Sequence, residues 1–260
     1  MAITPDSILL TDRLAVVTGA ASGIGQAIAA TFARFGADVA ICDRDADGLQ
    51  TTVRDIEAAG RRAHTAVLDV RDGDAVREWI DGFDRVDILV NNAGGGFFAA
   101  FTDVNDKGQD SLIRENFTSV TNFVRACVPK MANGGSIVNI TSIEAHRAAP
   151  GFAVYSAMKA GVANLTQTLA LELGDRNIRI NCIAPDVIPT PGIGDVPIKT
   201  PLPRQGHVDD VAGAALYLVS NLSQFVTGTT VHVDGGNLAA GGWGRSNQGG
   251  YVTTGDPVGE

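Results

Sequence analysis

Thr18-Gly19-Ala20-Ala21-Ser22-Gly23-Ile24-Gly25 follows an apolar run at residues 14–17 and precedes an alanine-rich stretch, 26–35, with helical spacing. A strand, a glycine turn and a helix start together make a phosphate cradle. Backbone N–H groups converge there on an anion, and glycine both admits positive φ and keeps side chains out of the way. A bound dinucleotide is the first inference. Ordinary strand-to-helix turns of a glycine-rich chain share this pattern, so a second mark is needed roughly 20 residues downstream. It is there: a second apolar strand, 38–42, ends at Asp43. A carboxylate at that point accepts hydrogen bonds from both ribose hydroxyls and repels a 2′-phosphate, which favours NAD over NADP. Arg44, directly after it, is the residue that could meet such a phosphate.

The totals exclude several classes. A chain of 260 residues, 45% apolar, can bury one large core, and no break in composition divides it, so a single domain over 1–260 is expected. Twenty basic against twenty-nine acidic side chains give a net charge of -9, with no Lys/Arg cluster to track a nucleic acid. No run approaches the ~20 apolar residues of a membrane span, and residues 1–10 lack the features of a signal peptide; no membrane association and a cytoplasmic location are expected. Cys42, Cys127 and Cys182 lie far apart in apolar surroundings, which suits buried reduced thiols better than disulfides or a metal site.

Strands at 14–17, 38–42, 63–68, 86–90, 136–141, 178–183 and 230–233 alternate with helices at 26–35, 45–59, 72–83, 111–131, 152–174 and 208–219. The pattern predicts an α/β fold: one doubly wound, Rossmann-like, seven-stranded parallel sheet with helices on both faces. Such sheets bind ligands beyond the carboxyl ends of their strands. The glycine turn, Asp43, Asp69, Asn91-Asn92-Ala93-Gly94, Ser142 and Ala184-Pro185 all follow directly on a strand. Two segments stand outside the alternation. The loop 186–206, with Pro189, Pro191, Pro197, Pro201 and Pro203, reads as a lid over the site or a passive excursion. The glycine-rich tail 237–260 reads as frayed, or as docking Trp243 on a neighbouring subunit.

Tyr155 and Lys159 stand four apart at the start of a helix and so share a face. A phenol ordinarily titrates near pH 10. An ammonium about 4 Å away at an effective dielectric near 20 lowers that by about three units, which would make the tyrosine a proton shuttle. Thr18-Gly19-x-x-x-Gly23-x-Gly25, Asn91-Asn92-Ala93-Gly94, Asn116, Ser142, Tyr155-x-x-x-Lys159 and Val233-Asp234-Gly235-Gly236 together resemble the short-chain dehydrogenase/reductase family over about residues 8–238.

The resemblance implies an NAD-dependent enzyme in which Asn116, Ser142, Tyr155 and Lys159 form the catalytic set. Tyr155 resembles the general acid/base, Ser142 the residue that hydrogen-bonds the reacting oxygen, and Lys159 the holder of the nicotinamide ribose. Asn116 resembles the residue whose backbone positions a water leading to Lys159. Cofactor contacts implied are Gly19, Ser22, Gly23, Ile24, Gly25, Asp43, Asp69, Val70, Asn91, Ala93, Gly94, Tyr155, Lys159, Ile188 and Thr190. Asp69 also suits a plain helix cap, and 91–94 a purely structural role. No metal is needed. Where the family usually has glycine after Ala-Pro, this chain has Asp186, a residue that tolerates positive φ better than most and that could read a polar group on the substrate.

Candidate pocket walls are Phe97, Phe98, Glu144, Ala149, Phe152 and Ile193, with Ile188, His146 and Arg147 nearby. They suit an apolar, cyclic or steroid-like secondary alcohol and its ketone. Two alternatives are a 3-oxoacyl thioester reductase, which Asp43 opposes because such reductions normally draw on NADPH, and a nucleotide-sensing module without turnover. The family resemblance further implies a homotetramer built on the helices 111–131 and 152–174.

Overall fold

In a computed structural model that describes residues 2–190, 193, 198, 200–245 and 250–253, seven strands share one sheet. They are β1 (Leu14–Thr18), β2 (Asp38–Asp43), β3 (Ala63–Val67), β4 (Ile88–Asn91), β5 (Gly135–Ile140), β6 (Ile178–Pro185) and β7 (Thr230–Val233). Every pairing is parallel, in the order β3-β2-β1-β4-β5-β6-β7. The doubly wound α/β sheet expected from the alternation is the fold found. Its helices are α1 (Gly23–Arg34), α2 (Ala46–Ala58), α3 (Gly73–Asp81), α4 (Asp106–Ile113), α5 (Ser119–Cys127), α6 (Ala153–Glu172), α7 (Val208–Val219) and the short α8 (Asn237–Ala240).

Successive side chains of a strand face opposite ways, and both faces of this sheet are covered. Ala15 and Val17 of β1 pack with Ile28 and Phe32 of α1 and Leu216 and Val219 of α7. Val16 packs on the other side with Phe123 and Val124 of α5 and Val162 of α6. Double coverage is why the central strands read as unbroken apolar runs. All three cysteines are buried and free. Among the described residues no helix is long and apolar enough to cross a membrane.

β1 lies between β2 and β4, so strand order reverses at its carboxyl end and opens a crevice there. Three local departures from the sequence reading bear on that crevice. Helix α1 begins at Gly23, three residues ahead of the alanine-rich run, because glycine's poor helix propensity masked its first turn. The segment read as one helix over 111–131 is instead α4, capped by Asn105, whose Oδ1 accepts from Gly108 N at 2.9 Å, followed by a π-helical stretch Arg114–Thr118 and then α5. Only Leu112 of α4 is buried, which left its start without an apolar period to read. The tail carries α8 and an antiparallel pair, Gly244–Arg245 with Tyr251–Val252, and Trp243 is exposed. Pro191 and Pro197 of the 186–206 loop, and tail residues 246–249 and 254–260, lie outside the described residues.

Candidate active site

The cradle forms where β1 turns into α1. Gly19 adopts φ +64°, and a Cβ on Gly25 would stand 2.1 Å from the Gly19 carbonyl oxygen, so both positions demand glycine. Asn92 Nδ2 donates to the carbonyls of Thr18 and Gly19 at 3.1 and 3.0 Å, while Thr18 Oγ1 accepts from the backbone N–H groups of Asn92 and Ala93 at 3.0 Å. Asp45 and Asp72 cap α2 and α3 by accepting first-turn amides. Ser22 makes no such bond at α1. The first-turn N–H groups and the positive end of the helix dipole are thus directed at the crevice, an arrangement that fits the pyrophosphate of a dinucleotide.

A cleft of about 620 Å³ extends from this turn to α6, within the ~300–1,000 Å³ usual for small-molecule and cofactor sites. Of the residues singled out for cofactor contact, Gly19, Ser22, Gly23, Ile24, Asp43, Val70, Ala93, Gly94, Tyr155, Lys159, Ile188 and Thr190 line it. Asp43 is oriented by the backbone N–H groups of Ala21 and Asp45, each at 3.1 Å. A carboxylate has about four acceptor sites, which leaves capacity for ribose hydroxyls. Gly25, Asp69 and Asn91 stand off the cleft wall. Gly25 is buried in the first turn of α1, and Asn91 Nδ2 donates to Asn139 Oδ1 across β4 and β5 at 2.8 Å. The Asp69 carboxylate accepts a fork from Arg71 at 2.5–3.0 Å, which holds its pKa below the usual carboxylate value.

At the other end Ser142 follows β5, and Tyr155 and Lys159 occupy the first turns of α6. Lys159 is 4% exposed and donates from Nζ to the Ile140 carbonyl at 2.9 Å, with Nζ 5.6 Å from the centroid of the Tyr155 ring. Burial pulls the Lys159 ammonium down to about 8. Burial pushes the Tyr155 phenol up, the charge of Glu144 acts in the same direction, and a hydrogen bond with Ser142 lowers it. In the protein alone the phenol is therefore raised where the ammonium was expected to lower it, because desolvation of the phenolate is the largest effect on it. Asn116, buried in the π-helical stretch, lies behind the wall. Its Oδ1 accepts from Gly95 N at 3.1 Å, and its Nδ2 donates to the Gly95 and Leu112 carbonyls at 2.8 and 3.0 Å. It pins the loop after β4, and a π-helical turn at such a place is a recurrent feature of functional sites.

On the remaining wall, Glu144, Phe152 and Ile193 line the cleft. Phe97 borders a small neighbouring cavity, Phe98 is 76% exposed and does not line the cleft, and Ala149 only turns the chain by accepting from Phe152 N at 3.0 Å. The rings of Phe98, Phe152 and Tyr155 follow one another at 5.7 and 6.3 Å between centroids. Arg147 pairs with Glu144 at 2.9 Å, and His146 stacks edge-on to His232 at 4.8 Å, with burial lowering its pKa. Asp186 lines the cleft and accepts from Asn237 Nδ2 at 2.7 Å. It does not take positive φ; among the described residues Asp12 and Asn177 are the non-glycines that do, so the replacement of glycine at 186 carries no backbone strain. Sequence reasoning missed Asn92 as the brace of the turn and Glu115 as a lining residue. Asn92 lay inside a motif already quoted, whereas no local signal marked Glu115.

Residues 19–237 match a family model described as enoyl-(acyl carrier protein) reductase. A 3-oxoacyl-[acyl-carrier-protein] reductase of Thermotoga maritima is 37% identical over 241 residues, covering 87% of this chain and 98% of that protein. The chain belongs to the short-chain dehydrogenase/reductase family. Two solved members of this family extend the likeness to structure. A 7α-hydroxysteroid dehydrogenase complexed with NADH and 7-oxoglycochenodeoxycholic acid is 33% identical, with TM-score 0.86 over 90% of this chain and 98% of that one. Carveol dehydrogenase of Mycobacterium avium in complex with NAD is 29% identical, with TM-score 0.82 over 88% and 99%. Another solved member holds NADP. The chain is an NAD(P)-dependent oxidoreductase of the short-chain type, acting on an alcohol or ketone.

Proposed function

We propose that this short-chain dehydrogenase/reductase uses NAD to interconvert an apolar, cyclic or steroid-like secondary alcohol and its ketone, with Tyr155 as general acid/base. The observation that carries the reading is the convergence of the glycine turn, Asp43, Ser142 and Tyr155 on one cleft. Bound there, the nicotinamide dinucleotide supplies or accepts the hydride. The chain's own residues do the rest. Tyr155 holds the proton that passes to or from the substrate oxygen, and Ser142 hydrogen-bonds that same oxygen, fixing its position. Lys159, anchored on the Ile140 carbonyl, holds a ribose and keeps a positive charge one helical turn from the phenol. Asp43 takes the adenosine ribose, and Phe152, Ile188 and Ile193 offer an apolar seat to the body of the substrate.

Cyclic alcohols named for two of the solved relatives support that seat. The Thermotoga relative supports a second reading, reduction of a 3-oxoacyl thioester. Glu144 and Asp186 on the substrate side weigh against it, since a phosphopantetheine arm brings negative charge to an already acidic wall. Assembly of the chain as a homotetramer is part of the same proposal and rests on the family resemblance. Absorbance of NADH followed across steroid, terpene, sugar and acyl-thioester panels tests the proposal. Turnover confined to cyclic secondary alcohols and ketones supports it. Turnover confined to thioesters selects the second reading, and cofactor binding without turnover on any panel selects a nucleotide-sensing module.

A further inference from the structure

We infer that Glu115 helps to set the choice between the two nicotinamide dinucleotides by holding Arg44 away from the ribose end of the cleft. This rests on the NAD preference proposed above. Arg44 follows Asp43 at the end of β2 and lines the cleft, with its side chain 59% exposed. Glu115 belongs to the π-helical stretch between α4 and α5, lines the same cleft, and is 23% exposed. Arg44 Nη2 lies 3.5 Å from Glu115 Oε1. The pair therefore joins the end of β2 to the element that carries Asn116.

Charge accounting makes the pair selective. Among the described residues lining the cleft, the basic side chains are Arg44 and Lys159. Lys159 is buried against the Ile140 carbonyl at the Tyr155 end, and Arg71 nearby is engaged by Asp69. That leaves Arg44 to neutralise a 2′-phosphate beside Asp43. Glu115 competes for that guanidinium, so a 2′-phosphate would have to displace the pair or face the Asp43 carboxylate without a neutralising cation. Two ribose hydroxyls meet neither penalty. Glu115 acts through Arg44 and touches no reacting atom, which makes it a positioning residue.

Fluorescence titration of the intact chain with NADH and NADPH tests this. Glu115→Gln removes the charge and keeps the shape; it is expected to improve NADPH binding relative to NADH by roughly fivefold, the scale of an exposed ion pair. Adding Arg44→Ala to that variant is expected to cancel the gain, whereas Arg44→Ala in the natural chain is expected to leave the NADPH/NADH ratio nearly where it was. Glu115→Ala serves as a second variant if the first melts at a lower temperature than the natural chain. A ratio unmoved by either substitution at Glu115, or a gain that survives Arg44→Ala, overturns the inference while the Asp43 reading stands. A natural chain that binds NADPH more tightly than NADH overturns the Asp43 reading and this inference with it.

Discussion

The phenol of Tyr155 carries the chemistry, and its surroundings oppose its ionisation: burial and Glu144 push its pKa up while Ser142 pulls it down. A neutral phenol is a ready proton donor to a ketone, so removing the hydroxyl should stop turnover without disturbing the cradle. Tyr155→Phe is expected to lower kcat by roughly 10²–10⁴-fold while the Kd for NADH, read by fluorescence, stays within about twofold, because only the proton is lost. Lys159 leaves a trace in stability. Its pKa is about 8 in the folded chain against an ordinary 10.5, so above pH 8 the folded state binds fewer protons than the unfolded one. Stability from this group is therefore least below pH 8 and rises between pH 8 and 10.5. Lys159→Met is expected to flatten that rise, measured as urea midpoints at stepped pH.

Elements place these residues, and two of them do so through contacts that close segments of chain. Asn105 caps the start of α4, the helix that runs into the π-helical stretch carrying Glu115 and Asn116. Asn105→Ala is expected to cost about 0.5–2 kcal/mol in chemical denaturation, the usual worth of such a cap. At the start of the 186–206 loop, Asp186 accepts from Asn237 of α8, and farther along Leu202 N donates to the Gly235 carbonyl at 3.0 Å. Both ends of the loop are thus tied to the turn after β7. Asp186→Gly and Asn237→Ala should each shift KM for cofactor or substrate by more than a few-fold in steady-state kinetics, since either breaks the same tie. Unchanged constants in both would detach this contact from the site.

At the scale of the whole molecule, a sheet buried on both faces keeps the thiols of β2, β6 and the covering helix α5 out of reach. Cys42 and Cys127 are pushed far up by desolvation, and Cys182, beside Thr166 at 3.1 Å, to about 11. A thiol-reactive chromogenic reagent is expected to find no reactive cysteine in the native chain and all three after unfolding in guanidinium. Rapid reaction of any one before unfolding would contradict the packing of the sheet.

Alternation of apolar strands with helical periods was enough to specify the parallel sheet, because burial on both faces writes continuous apolar runs into β1, β2 and β4. The glycine turn, Asp43, Ser142, Tyr155 and Lys159 were legible for a related reason: backbone closeness and proton chemistry tolerate few residue types. What only the tertiary structure decided depends on distance and desolvation. Asp69 meets Arg71 and stands off the cleft wall, Tyr155 is raised and not lowered, and Asp186 needs no positive φ. Asn92 braces Thr18 and Gly19, more than 70 residues away in the chain, and Glu115 meets Arg44 across 71 residues. Such pairings are set by where a parallel sheet brings the ends of its strands together, and no local spacing encodes them.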